Sequence, residues 1–121
     1  MRENALENFV GIIWAHNYIF ALMLLYNVTF IIDDAVADAW QSWMQEEHIP
    51  KVLATGKFVS NRLLKVIDSP NEGVTFCSQY IAENMEDYLE YQELYAPELA
   101  QELDKFKDQL VAFRSLMEFV D

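Results

Sequence analysis

His48 is the residue whose type and position point most directly to chemistry in this chain. It lies one helical turn after Met44 in a predicted helix, so the two side chains share one helix face. An imidazole ring titrates near neutral pH and can serve as a general acid or base. The alternative is a histidine at the C-terminal end of that helix, where the helix dipole favours its cation. A catalytic role needs further groups that converge on the ring, and the sequence leaves both interpretations open.

Metal and thiol chemistry are not expected beside His48. Glu47 is the adjacent carboxylate, but neighbouring helical residues diverge by about 100°, so the two side chains cannot easily hold one ion together. The other histidine, His16, lies in the N-terminal stretch, and the single cysteine, Cys77, falls in a predicted strand, where a buried thiol is usually inert. We therefore predict no metal and no cofactor.

Aromatic and polar side chains could line a ligand pocket near His48. Trp40 and Trp43 lie three residues apart on one helix face, and Trp40 is expected in the core whereas Trp43 is nearer to His48. The predicted pocket is lined by Trp43, Tyr26, Tyr80, Tyr88, Arg62 and Gln79. Its ligand would be a small aromatic or apolar molecule. The alternative for each lining residue is ordinary packing, with its polar atoms satisfied by ordinary partners.

The elements that must position these residues follow the order β-α-β-β-α-β. Strands are predicted over residues 24–32, 58–67, 74–82 and 110–120, because these runs alternate and are rich in β-branched and aromatic residues. A first helix is predicted to end at Pro50, and a second begins after Asn84 and restarts at Pro97. This order predicts an α+β, ferredoxin-like sandwich: a four-stranded antiparallel sheet with the helices on one face.

Alternation along the strands assigns two faces to the predicted sheet. The apolar set in the first strand, which should face the helices, is Tyr26, Val28, Phe30 and Ile32. The opposite face mixes apolar residues with Asn27, Thr29, Cys77, Gln79 and Arg114. That mixture is too apolar for water and too polar for a core, so we predict a homodimer with Asn27, Thr29 and Arg114 in its interface. A half-exposed sheet is the alternative.

The charge of the chain excludes one class of partner. The 121 residues hold 8 basic and 20 acidic side chains, for a net charge of −12. Little is available to neutralise phosphates, so neither nucleic acid nor an anionic membrane surface is expected as a partner. Residues 83–108 contain nine acidic side chains and only two lysines, which is typical of the solvent side of a helical region. We expect a cytoplasmic protein.

Residues 1–22 stand apart from the rest of the sequence. From Phe9 to Ile32 no residue carries a full charge if His16 is neutral, and that length could span a bilayer. Polar residues interrupt the run, however, and a strand can begin directly after Met23. We therefore expect an N-terminal extension over residues 1–22, either an appended helix or the result of an upstream start codon. The domain itself is predicted to cover residues 23–121.

From Met23 onward the sequence also resembles a known family. The resemblance is carried by YNVTF at residues 26–30, by Trp40 and Trp43-Met44, by the run Glu47-His48-Ile49-Pro50, and later by Ala96-Pro97 and Val111-Ala112-Phe113-Arg114. The family consists of small bacterial proteins known only as a domain of unknown function, and it is grouped with the dimeric α/β-barrel superfamily. The resemblance implies the fold and a dimer, and it implies no reaction. The superfamily includes cofactor-independent monooxygenases, haem-degrading enzymes and small binding domains.

Three functions from different classes follow from the residues and the resemblance together. The first is a homodimer that binds a small ligand in the pocket described above. The second is a monooxygenase-like enzyme that acts on an activated aromatic substrate without a cofactor and uses His48 as its base. The third is a structural or protein-interaction dimer without a ligand.

Overall fold

Four antiparallel strands form one sheet in the computed structural model, which describes residues 23–121. The strands are β1 (Leu24–Ile32), β2 (Ser60–Val66), β3 (Val74–Ala82) and β4 (Leu110–Glu118). Their order is β2-β3-β1-β4, so β1 and β3 are central and β2 and β4 are the edges. This topology confirms the predicted ferredoxin-like α+β fold. The expected extension over residues 1–22 lies outside the described residues.

The helices cover one face of the sheet. The first helical region contains α1 (Ala37–Trp43), a π-helical turn (Met44–His48) and α2 (Ile49–Ala54). The second contains α3 (Met85–Leu94) and α4 (Ala96–Gln101), followed by a 3₁₀ turn (Glu102–Phe106). Asn84 caps α3 because its side-chain oxygen accepts the backbone N–H of Asp87 at 2.8 Å. In the described part of the chain, none of the helices is long and apolar enough to cross a membrane.

The first helical region continues through Pro50, so the prediction that it ends there is wrong. The N–H of Ile49 bonds to the carbonyl of Met44, five residues back, and this closes the π turn. Pro50 then falls in the first turn of α2, a position that tolerates proline. His48 consequently lies inside the helical region instead of at its C-terminal end, and the helix-dipole interpretation of this residue loses its basis.

The core lies between the helices and the even-numbered side chains of β1. These side chains, from Leu24 to Ile32, are 0–8% exposed, as the alternation predicts. Trp40 is fully buried against them, with its ring centroid 4.8 Å from that of Phe30 and 4.9 Å from that of Phe76. The expectation that Trp40 belongs to the core therefore agrees with the structure.

Candidate functional site

A cavity of about 40 Å³ lies between the helix-covered face of the sheet and the helices. Space of this size holds a few water-sized groups. Part of its wall is apolar and includes Val28, Phe30, Met44 and Leu103. Its polar lining comes from three strands and both helical regions, and consists of Tyr26, Ser78, Tyr80, Arg114, His48 and Tyr91.

The sheet register brings the strand residues of this lining together. Tyr26 of β1 pairs with Tyr80 of β3, and Val28 pairs with Ser78 of β3 on one side and with Arg114 of β4 on the other. Directly opposite residues in an antiparallel pair point to the same face of the sheet. The three strands therefore present two tyrosines, a serine and an arginine to one space.

His48 and Glu102 form a hydrogen-bonded pair at the helical side of the cavity. Nδ1 of His48 lies 3.3 Å from Oε1 of Glu102, and Oε2 of the same carboxylate accepts a hydrogen bond from Nζ of Lys51 at 2.9 Å. The imidazole belongs to the π turn, whereas Glu102 opens the 3₁₀ turn after α4. The carboxylate thus links a buried ring to a solvent-exposed ammonium group.

Burial and the neighbouring charges together set the protonation state of His48. Burial lowers the pKa of His48 below its ordinary value of 6.5 and outweighs Glu102, which acts in the opposite direction. The hydrogen bond from Lys51 is the main reason that the pKa of Glu102 is also lowered. At neutral pH the ring is therefore neutral beside a charged carboxylate, so Nδ1 carries the ring proton and donates a hydrogen bond to Oε1 of Glu102. Nε2 keeps a lone pair that can accept a proton or a hydrogen bond.

Trp43 holds the His48 ring in place from the side of α1. The indole stacks on the imidazole with ring centroids 4.9 Å apart and an interplanar angle of 28°. The Nζ atom of Lys105 lies 4.2 Å from the centroid of the same indole, in cation–π geometry. Trp43 does not line the cavity itself, so its place beside His48 makes it a positioning residue.

Three tyrosines of the cavity lining, Tyr26, Tyr80 and Tyr91, form a cluster with Tyr88. The Tyr26 ring centroid lies 5.3 Å from that of Tyr88, 6.1 Å from Tyr80 and 6.3 Å from Tyr91. Burial raises the pKa of Tyr80 to about 12 and also raises the pKa of Tyr91, although Arg114 opposes the effect at Tyr91. These hydroxyls stay protonated at neutral pH and can donate hydrogen bonds to a ligand.

Two residues of the predicted pocket lie on the opposite face of the sheet. Arg62 pairs with Gln79, and Gln79 pairs with Asn27, so all three share the other face of the sheet. None of the helices within residues 23–121 covers that face, and it is called the helix-free face below. Their inclusion with Tyr26 and Tyr80 is wrong because it ignores the change of face between successive strand residues. Of the predicted lining, Tyr26 and Tyr80 contact the cavity, and Tyr88 packs against Tyr26.

Arg114 requires the reverse correction. It was grouped with Asn27 and Thr29 on the helix-free face, but it lies opposite Val28 and lines the cavity. The alternation of β4 is ambiguous because both of its faces carry apolar residues, such as Leu110 on one and Val111 on the other. Pairing with β1 decides the face, and the sequence of β4 alone does not.

Three further residues of the site were not predicted. Tyr91 follows Tyr88 at helical spacing, which could have placed it on the inner side of α3. Ser78 has the same parity as Tyr80 in β3, and this signal was also available. Glu102 had no such signal, because it is 54 residues from His48 in the chain.

The helix-free face has its own unsatisfied group. Asn27 is 7% exposed, and its Nδ2 donates to Oγ1 of Thr29 at 2.9 Å. Its Oδ1 has no hydrogen-bond partner in the part of the chain that the structure describes. Beside it, β4 exposes Val111, Phe113 and Met117 on the same face. Buried polar atoms usually have partners, so a partner for this Oδ1 is expected outside residues 23–121.

Metal-ligating side chains do not gather at the site. Between residues 23 and 121 there is no group of three or more histidine, cysteine or carboxylate side chains that could hold an ion. The polar groups that line the cavity are imidazole, hydroxyl and guanidinium groups.

The chain shares its fold with solved α+β proteins, one of which is a cofactor-independent oxygenase. A variant of SnoaB, a cofactor-independent oxygenase from Streptomyces nogalater, superposes with a TM-score of 0.63 at 12% identity, covering 84% of this chain and 96% of that one. An EthD-like protein from Ralstonia eutropha JMP134 superposes with a TM-score of 0.60 at 17% identity, covering 84% of this chain and 96% of that one. A NIPSNAP family protein of unknown function from Agrobacterium tumefaciens C58 superposes with a TM-score of 0.59 at 14% identity, covering 82% of this chain and 89% of that one. At these identities the likeness shows the fold alone.

The sequence comparison identifies the family. Residues 23–120 match DUF4286, a domain of unknown function, and the chain belongs to that family. This confirms the resemblance noted from the sequence. None of the curated protein sequences shows significant similarity to the chain.

Proposed function

We propose that the protein binds a small organic ligand in the cavity between the sheet and the helices. The observation that carries this proposal is the convergence of Tyr26, Tyr80, Tyr91, His48 and Arg114 on one space that also has apolar walls. A few convergent polar groups in an apolar pocket are typical of small-molecule sites. The volume of about 40 Å³ fits the head group of a ligand, and an aromatic or apolar body would extend from it.

A cavity-filling variant tests this proposal. Ala100 lines the cavity, so Ala100→Leu should occupy the ligand volume without removing a polar group. We expect small aromatic acids, alcohols and quinones to give saturation-transfer NMR signals and a rise in Tm with the natural chain, and neither with the variant. Ala54→Leu adds the same side chain at an exposed position outside the cavity and is the control. Equal binding by the natural chain and Ala100→Leu would exclude the cavity as the binding site.

His48 supports a second candidate function, that of a cofactor-independent enzyme. The specific observation is the Nδ1–Glu102 hydrogen bond, which orients the ring and leaves Nε2 as a base beside the cavity. In this function Nε2 takes a proton from an activated carbon of an aromatic substrate. The fold is shared with a cofactor-independent oxygenase, and this likeness adds only that the fold accommodates such chemistry.

Hydrogen exchange separates the two functions. For an enzyme, 2-tetralone in D₂O should lose its α-hydrogens faster with the natural chain than in buffer, and His48→Gln should abolish the difference. For a binding protein, His48→Gln changes affinity while the exchange rate equals that in buffer for both proteins. Glu47→Gln, at the neighbouring exposed position, is the matched control.

Homodimer formation through the helix-free face is also part of the proposed function. Its support is the exposed apolar set of β4, together with the buried Oδ1 of Asn27, which a partner could satisfy. We further propose a cytoplasmic location, which suits the free thiol of Cys77.

A further inference from the structure

Arg114 is the cationic group of the cavity lining. In residues 23–121, no aspartate or glutamate joins it in that lining. Arg114 also makes no ion pair or side-chain hydrogen bond with another described residue. This is unexpected in a chain where 20 acidic side chains are available to 8 basic ones. The guanidinium is therefore left with donors for a group that is not part of the described chain.

The neighbours of Arg114 are suited to an anion. Tyr91 and Tyr88 lie close enough to the guanidinium for its charge to oppose the rise in their pKa. Their hydroxyls remain protonated and can donate alongside it. The neutral His48 ring adds no like charge to the guanidinium, so Arg114 is the charged side chain of the described cavity lining.

We infer that the ligand of the cavity carries a carboxylate, which Arg114 binds within the cavity while the body of the molecule extends from it. This inference rests on the proposed ligand-binding function and specifies its ligand class. The planar fork of arginine matches the two oxygens of a carboxylate, and such charge-assisted pairs are stronger than neutral hydrogen bonds. The small volume admits a carboxylate and its neighbouring carbon more readily than a bulkier head group.

Arg114 could instead be an ordinary surface arginine, because it lies in an edge strand and is itself exposed. The two roles differ in what they predict. A surface arginine is indifferent to the charge of a molecule in the cavity, whereas a ligand-binding arginine discriminates an acid from its amide.

Matched ligand pairs on the full chain test the inference. Benzoate and benzamide share one body, as do butyrate and butyramide, and each is titrated by calorimetry and by NMR. We expect each acid to bind the natural chain about tenfold or more tighter than its amide, the range given by a charge-assisted pair. Arg114→Met should remove this preference, because the acid loses a charge-assisted pair whereas the amide loses at most a neutral hydrogen bond. Arg114→Lys should keep part of it, because the charge remains and the fork geometry is lost.

Arg62→Met is the matched control, since it removes the same charge from the helix-free face. It should leave the acid preference intact, and circular dichroism and Tm verify that each variant is folded. Phenylphosphonate serves as a further arm: binding tighter than benzoate would overturn the carboxylate assignment in favour of a phosphoryl group.

The failures of the inference and of the proposed function have different signatures. Equal affinity for acid and amide, or a preference that survives Arg114→Met, overturns the role of Arg114. The proposed function would still stand if the amides bind the natural chain and Ala100→Leu abolishes their binding. Absence of binding by every acid and amide to the natural chain overturns both.

Discussion

The helix-covered face of the sheet buries the even-numbered side chains of β1 to 0–8% exposure, whereas the helix-free face leaves Val111, Phe113 and Met117 of β4 41–61% exposed. Both faces are built from the same strands by the same alternation of side chains. The covered face holds the core, the cavity and the titratable pair of His48 and Glu102. The helix-free face holds the buried Oδ1 of Asn27, which has no hydrogen-bond partner among residues 23–121. The proposed ligand site and the proposed dimer interface therefore lie on opposite faces of a single sheet.

The position of a strand within the sheet modifies this contrast. On β4, even the residues that face the helices are exposed, including Arg114 and Leu116. The helices thus cover the central strands more completely than this edge. Arg114 can therefore contact both the cavity and solvent, which a residue of β1 at the same level could not do.

Removal of a core side chain should produce the largest effect. Trp40→Ala on the helix-covered side is expected to lower the free energy of unfolding by about 3–5 kcal/mol, because it deletes a fully buried ring and leaves a cavity. Phe113→Ala, which deletes a half-exposed ring from the other face, should cost well under half as much in the monomer. Urea denaturation at low protein concentration measures both. Similar losses for the two variants would contradict the contrast between the faces.

A charge on the helix-free face should give the next largest effect, on assembly and not on folding. Phe113→Glu is expected to raise the dimer dissociation constant at least about tenfold, because an unpaired charge would be buried in the interface. Sedimentation equilibrium measures this constant, and circular dichroism verifies the fold. Ile67→Glu places the same charge at an exposed apolar position beyond β2 and is the control. A monomeric natural chain, or an unchanged constant in Phe113→Glu, would remove the helix-free face as an interface.

The success of the sequence predictions also differs between regions. β1 alternates cleanly between an apolar and a mixed set, so its two faces were predicted correctly. β4 has apolar residues at both parities, and only its hydrogen-bonded register to β1 reveals that Arg114 faces the helices. The π turn at Met44–His48 was not predicted because it depends on one backbone hydrogen bond that spans five residues instead of the four of an α-helix. The contact between His48 and Glu102 could not be predicted either, since it joins two helical regions through the tertiary packing.

A pH-dependent stability term is expected from the helix-covered face. Because the pKa of folded His48 is lowered below 6.5, the unfolded chain binds a proton in a range where the folded chain does not. The stability contributed by neutral His48 is therefore complete above pH 6.5 and is lost as the pH falls toward the pKa of the folded state. One proton limits the slope to about 1.4 kcal/mol per pH unit. The lowered pKa of Glu102 gives a stability contribution of the same sign, which is lost as the pH falls below 4.5, the ordinary pKa of the group.

The difference between the natural chain and His48→Gln isolates this term. Urea denaturation at a series of pH values should show a slope between pH 6.5 and the folded pKa that the variant lacks. His16 is common to both proteins and cancels in the difference. Parallel stability curves for the two proteins would mean that His48 titrates alike in the folded and unfolded chains.

The smallest expected effects concern the pKa of His48, and they have opposite signs in two variants. Glu102→Gln removes the hydrogen bond and the charge that raise the pKa of His48, so that pKa should fall further. Lys51→Gln removes a repulsive charge and frees Glu102 from its competing hydrogen bond, so the pKa of His48 should rise. Ring-proton NMR titration measures both, with His48→Gln assigning the signals. Lys57→Gln, which breaks an ion pair with Glu90 instead, is the control and should leave the titration unchanged. If the pKa of His48 shifts in the same direction in both variants, His48 and Lys51 do not compete for the Glu102 carboxylate.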